Sequence, residues 1–181
     1  MGLESWVFPA EVPGFLSAHE ARCLAEMAAG RSVLEIGSYC GRSTISMGQT
    51  ADSVVSVDWH RPAFAFPKGG TLERLQAGLH SFRVSERVVV LVGPAQDVLP
   101  WLASGQFGMI FHDAGHSEAE VVADISASRR LIRPGGLWAI HDYLHPEYGA
   151  GVRAAVASLF PGLDVRQEGS LAIVKEPPTG G

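Results

Sequence analysis

Residues 33–44 read VLEIGSYCGRST, and this stretch decides the fold. The run Ser32–Ile36 is short, apolar and rich in branched side chains, the pattern of a buried strand. It ends at Gly37, and Gly41 follows after three residues, so the chain leaves the strand through a glycine turn. RSTISMGQTA then reads as a helix, weakened by Gly48. A strand, a glycine turn and a helix in this order form the first unit of an open α/β sheet, where ligands bind beyond the carboxyl ends of the strands.

The same alternation extends in both directions. Upstream, Ser17 with Glu20 three residues later is a capping box, and Leu24, Met27 and Ala28 recur at helical spacing, which predicts a helix over about 17–29. Downstream, SVVSVD ends a second strand at Asp58, RVVVLVG a third, FGMIFHD a fourth and LWAIHD a fifth, with RPGG before the last read as a turn. Helical patterns lie at TLERLQAGLHSF, AQDVLPWLAS, SEAEVVADISASRRLI and GVRAAVASLF. Strands alternating with helices predict a mostly parallel sheet covered by helices on both faces. LDVRQ and SLAIVKE stand too close together for a helical crossover and predict an antiparallel hairpin at the sheet edge. WHRPAFAFPKGG, between the second strand and its helix, predicts a loop, with Phe64 to Phe66 either a lid over a pocket or a local packing plug, the lid being favoured. One domain over 1–181 is expected, with an N-terminal arm at 1–13 and a frayed tail at 176–181.

Composition narrows the function. The chain has 181 residues, 46% hydrophobic and 18% charged, enough for one core. A net charge of −5 argues against nucleic acid as the main partner. Two cysteines make no disulfide framework, no apolar run is long enough to span a membrane, and the start lacks the pattern of a signal peptide. The expectation is a cytoplasmic protein with reduced thiols. Trp6 and Phe8 either cover the pocket or meet a second subunit in a homo-oligomer.

The glycine turn can be matched to a ligand. Gly37 and Gly41 allow close backbone approach, but Tyr39 and Cys40 fill the middle, and the third glycine of a dinucleotide site is missing. Glu35 would repel a pyrophosphate and suits an amino-acid ammonium. Asp58 is placed to accept both hydroxyls of a ribose. These features together describe S-adenosylmethionine better than NAD.

With these residues in place, the sequence resembles the class I S-adenosylmethionine-dependent methyltransferases. It is similar in particular to a small bacterial group with the pattern EIGSxxGRST, DxxHSxE, LxPGG and HDY, related to cephalosporin hydroxylase-like and macrocin O-methyltransferase enzymes. The matching segments are EIGSYCGRST (35–44), DAGHSEAE (113–120), LIRPGG (131–136) and HDY (141–143). The resemblance implies a Rossmann-like methyltransferase fold, a seven-stranded, mostly parallel sheet with one antiparallel edge strand. It implies cofactor contacts from Gly37, Ser38 and Gly41 to the methionine and ribose part, Asp58 to the ribose hydroxyls and Trp59 against adenine. Pro94 stands where the family often has an acid, which leaves Ala95 and Gln96 as the expected adenine contacts. Arg42 either reaches the cofactor carboxylate or decorates a helix start.

The chemistry is expected where the fourth and fifth strands end. IFHDAGH and AIHDY place His112, Asp113, His116, His141 and Asp142 there. Alternation along a strand sends His112 and Asp113 to opposite faces, which selects Asp113 for the site and the cofactor. Two routes to methyl transfer onto a hydroxylated small molecule are open. In one, His116 is the general base, with Asp113 and Asp142 beside it. In the other, Asp113, His141 and Asp142 hold a divalent metal that acidifies the hydroxyl. The related enzymes, which carry carboxylates at these strand ends, favour the metal. His141, where they have an acid, favours Mn²⁺, Fe²⁺ or Zn²⁺ over Mg²⁺. A purely structural arrangement would instead pair Asp113 with His116. The contrasting function is a cofactor-binding module without catalysis, against which Asp113, His116 and Asp142 speak.

Overall fold

The structure is a computed structural model that describes residues 3–61 and 70–178. Seven strands form one sheet: β1 (Ser32–Ile36), β2 (Ser53–Asp58), β3 (Val88–Val92), β4 (Phe107–His112), β5 (Ile132–Ile140), β6 (Arg166–Glu168) and β7 (Leu171–Lys175). Their order is β3-β2-β1-β4-β5-β7-β6, with the first five parallel. The hairpin lies at the edge as expected. Its second strand, β7, pairs with both β5 and β6, so the strand that runs against the others lies one place in from the edge.

The helices are α1 (Ala18–Ala28), α2 (Arg42–Gly48), α3 (Thr71–Ser81), α4 (Ala95–Val98), α5 (Glu118–Ser128) and α6 (Gly149–Leu159). Strand alternation divides their packing between the two faces. Leu34, Ile36, Ile110, Trp138 and Ile140 meet α5 and α6 through Val121, Ile125, Val152 and Val156. Val33, Met109, Phe111 and Ala139 face the other way, onto Leu24 and Ala28 of α1 and Met47 of α2. Truncating one of the fully buried Leu, Ile or Met side chains among these to Ala is expected to cost about 2–5 kcal/mol.

β5 departs from the sequence reading. RPGG belongs to the strand, which begins at Ile132, and the pairing with β4 shifts register between Phe107 and Met109. Gly135 takes the left-handed φ of 74° inside this irregularity, so a turn signal has been absorbed as a bulge. No helix among the described residues is long and apolar enough to cross a membrane. The aromatic loop read as a lid lies outside the described residues.

The sheet order reverses between β1 and β4: the chain winds one way through β1, β2 and β3, and the other way through β4 and β5. Their carboxyl ends therefore diverge and leave a crevice at this point. Every site residue considered below lies at its rim or just behind it.

Candidate active site

The glycine turn is shaped by three left-handed residues, Gly37 (φ 91°), Tyr39 (φ 52°) and Gly41 (φ 94°). A Cβ on Gly37 would collide with the carbonyl oxygen of Asp113, so this glycine lets β1 and β4 converge at the crevice. Gly41 has a different reason. The Leu75 side chain of α3 occupies the place its Cβ would take, and Gly41 does not line the crevice. This packing against α3 is a second demand on the glycine beside its expected cofactor contact.

Asp58 is the hub of the turn. Its Oδ2 accepts the backbone N–H groups of Ser38 (2.8 Å) and Tyr39 (2.7 Å), and its Oδ1 accepts that of His60 (2.7 Å). A carboxylate offers about four lone-pair positions, so three backbone bonds leave acceptor capacity toward the crevice. That crevice has a volume of about 570 Å³ and is lined by Gly37, Asp58, Trp59, Ala95, Gln96 and Asp113 among others. Its size is that of a small-molecule site. A narrow extension of about 30 Å³ passes Phe15, Ser38, Arg42 and Asp113. Trp59 is half-exposed, with the Arg61 guanidinium 3.3 Å above its ring. Gln96 donates to Asp124 Oδ1 (2.8 Å), whose other oxygen meets His112 Nε2 (3.1 Å). His112 thus faces α5, opposite Asp113, as strand alternation predicted.

Glu35 is corrected. It is fully buried between β1 and α2, where Ser43 Oγ and Thr44 Oγ1 each donate to it at 2.5 Å. Burial pushes its carboxyl up to about 7 despite those bonds. It fastens the helix to the strand behind the turn and does not reach a ligand. Arg42 takes neither expected role. Its guanidinium donates to the carbonyls of Val12, Gly14 and Leu16, clamping the N-terminal segment onto α2. Trp6 donates to the Ser46 carbonyl (3.2 Å), and Phe8 packs against the α1–α2 core; neither is among the residues that line the crevice.

At the ends of β4 and β5 the ionisable groups form a row. Asp113 Oδ1 lies 3.1 Å from His141 Nδ1, which is 3.4 Å from Asp142 Oδ1; Asp142 Oδ2 lies 2.7 Å from His116 Nε2. The structural pairing of Asp113 with His116 is not what forms; the partners are crossed. Burial opposes charge on His141, yet Asp113, Asp142 and Glu20 together push it up to about 12. Burial would raise Asp142, but hydrogen bonds from His116 and His141 hold its carboxyl well below the usual range. The bond to Asp142 raises His116 above its ordinary value, against partial burial. Asp142 has a φ of 59°, a conformation uncommon outside glycine, and such strain gathers at functional sites.

Two contributors escaped the sequence reading. Glu20, seen there only as half of a capping box, reaches from α1 to within 3.8 Å of His141 Nε2. Tyr148 lies between two imidazoles, with ring centroids 4.7 Å from His116 and 4.4 Å from His145. Only the EYG segment before α6 could have signalled it. The Asp113, His141 and Asp142 donor atoms lie within 4.8 Å of one another. The 3.1 Å separation is that of a hydrogen bond between the His141 imidazole and Asp113, so these donors could hold a cation of the Mn²⁺, Fe²⁺ or Zn²⁺ kind only with the His141 proton displaced.

The chain and its fold have counterparts among known proteins. Residues 34–143 match the family described as "Methyltransferase domain". The catechol O-methyltransferase of Mycobacterium tuberculosis (strain ATCC 25618 / H37Rv) is 34% identical over 152 residues, covering 80% of this chain. The chain spans 63% of that relative's length, and 42% of the length of O-methyltransferase hkm8 from Aspergillus hancockii, which is 25% identical. A cofactor-bound structure of Rv0187 from MTB superposes with a TM-score of 0.72 at 30% identity, covering 94% of this chain and 85% of that one. The O-methyltransferase TomG from Streptomyces achromogenes, solved in complex with SAM, shares the fold with a TM-score of 0.70 at 24% identity, covering 90% and 82%. The match from β1 through the β5 end spans both the glycine turn and the ionisable row, and the chain belongs to the methyltransferase domain family.

Proposed function

We propose that the chain transfers a methyl group from S-adenosylmethionine to a hydroxyl oxygen of a small, hydroxylated and partly aromatic molecule. The observation that carries this reading is the His116–Asp142 pair (2.7 Å), joined through His141 to Asp113 on the wall of the crevice. Bound in the crevice, the cofactor supplies an electrophilic methyl group on a sulfonium. Asp58 accepts from the ribose hydroxyls, Trp59 and Ala95 flank the base, and Ser38 lies along the narrow extension toward the methionine end. His116 would take the proton of the acceptor hydroxyl as its oxygen bonds to the methyl carbon and the methyl–sulfur bond breaks, the sulfur leaving as the neutral thioether of S-adenosylhomocysteine, and Asp142 would stabilise the imidazolium that results. Exposed Phe15 and the Tyr148 ring supply apolar, planar surface for the acceptor. The relative named for catechol makes a catechol the first acceptor to try.

A second reading has its own observation, the convergence of Asp113, His141 and Asp142. These residues would hold a divalent cation, which would lower the pKa of the acceptor hydroxyl and reduce the need for a base. One experiment addresses both. Methyl transfer from S-adenosylmethionine to catechol and to a panel of hydroxylated metabolites is followed by mass spectrometry, with EDTA and with added Mn²⁺ or Zn²⁺. His116→Gln is expected to lower kcat by about 10²–10⁴-fold while leaving the affinity for S-adenosylhomocysteine unchanged. Activity that EDTA abolishes and His116→Gln spares assigns the chemistry to the cation. Failure of the protein to bind either adenosyl compound rejects methyl transfer altogether.

A further inference from the structure

A second group of metal-type donors lies outside the crevice, where α1 meets the edge of the sheet. His19 and Cys23 are four residues apart, one turn of α1, and project from the same face. Glu168, the last residue of β6, faces them from the neighbouring strand. His19 Nε2 lies 3.1 Å from Glu168 Oε2, Cys23 Sγ lies 3.7 Å from His19 Nε2, and the same Sγ lies 4.0 Å from Glu168 Oε2. We propose that His19, Cys23 and Glu168 form a second, zinc-class metal site that pins α1 to the β6–β7 hairpin.

The geometry supports a single tetrahedral ion. With bonds of about 2.0 Å to nitrogen and oxygen and about 2.3 Å to sulfur, such a centre sets its N–O edge near ~3.3 Å and its edges to sulfur near ~3.6 Å. The three observed separations follow this order and need shifts of only a few tenths of an ångström. A simple ion pair between His19 and Glu168 would explain the shortest of them. Helical spacing sets the thiol beside His19, where it also hydrogen-bonds Glu168, and a bound ion would replace these three contacts with bonds to one centre.

The surroundings suit the same ion. Arg166 donates to Glu168 Oε1, which leaves Oε2 turned toward His19 and Cys23. The His19 side chain is 63% exposed, so water can reach the centre as the fourth ligand. Imidazole, thiolate and carboxylate together select Zn²⁺ over Mg²⁺ or Ca²⁺. Binding displaces the Cys23 thiol proton to solvent. The site lies one residue from Glu20, whose Oε1 accepts the Ser170 N–H (2.6 Å) and lies 3.8 Å from His141 Nε2. An ion there would brace the wall behind the ionisable row without touching it.

Cobalt tests this directly. Co²⁺ is titrated into the full chain under a non-thiol reductant, and the thiolate-to-cobalt charge-transfer band in the near ultraviolet is recorded. One equivalent is expected to develop the band and Zn²⁺ to displace it. Cys23→Ser should abolish it, and His19→Ala should weaken binding by more than about tenfold. Asp142→Asn, which disables the other donor group, should leave the band intact. Circular dichroism confirms folding of each variant; these side chains lie at or near the surface. The inference is overturned if the native protein gives no thiolate band, if the band survives Cys23→Ser and so belongs to Cys40, or if Asp142→Asn removes it.

Discussion

Glu35 shows what one buried side chain does for the turn. It holds Ser43 and Thr44 at the start of α2, and its folded pKa of about 7 lies above its ordinary 4.5. The folded state therefore binds a proton that the unfolded chain has already lost. That contribution to stability is complete below the unfolded value and disappears as pH rises through the folded one. Glu35→Gln removes the ionisation and keeps an acceptor. Unfolding in urea at pH 5.5 and 8.5 should show the variant gaining about 2 kcal/mol relative to the native chain between the two conditions. A gap that stays constant with pH would show that Glu35 does not ionise in this window. Sequence could place Glu35 one residue before the end of β1 but could not say what covered it. Alternation gives the face, and only the packing of α2 shows that this face is closed. Alternation alone also sent Asp113 and its neighbour His112 to opposite faces, and Asp113 lines the crevice.

At the scale of elements, α1 and α5 begin with the same device and depend on it differently. Ser17 with Glu20 and Ser117 with Glu120 both form complete capping boxes. Glu120 is exposed, and its loss of the Ser117 hydroxyl is repaired by water. Glu20 is buried, and its carboxylate also serves the Ser170 N–H and faces His141. Burial would raise its pKa, but His141 and the Ser17 and Ser170 bonds pull it down to about 2. Removing the Ser17 hydroxyl leaves that carboxylate short of a donor where water cannot replace it. Ser117→Ala should cost about 1 kcal/mol, and Ser17→Ala about 2 kcal/mol, in equilibrium urea unfolding. Equal costs would mean that Glu20 is not tied to the hairpin and to β5 as described. These helix starts were legible because capping is a local rule. The start of β5 was not, because Pro134, Gly135 and Gly136 carry a turn signal that strand pairing with β4 overrides.

Considered whole, the molecule separates a ligand half from a bracing half. β1 to β4 end in the crevice, whereas β6, β7 and the far end of α1 hold its back wall. Most of the ligand half was readable, since Asp58, Trp59, Ala95 and Gln96 stand at fixed places after their strands and all line the crevice. The crossed pairing of Asp113, His141, Asp142 and His116 was not, because it depends on the left-handed turn at Asp142 and on how α6 approaches. This division predicts how a ligand acts at a distance. S-adenosylhomocysteine at a hundred times its dissociation constant should stabilise the fold by about 2.7 kcal/mol, raising Tm by about 5–10 °C in a chain of this length. Hydrogen exchange should slow at residues 37–39, 58–61 and 113–115, where backbone groups border the crevice. It should change little at β6 and β7, whose amides open only with the bracing half. Protection as strong in the edge hairpin as in the glycine turn would show that the two halves open together, and would place the ligand's effect on the whole sheet rather than on the crevice.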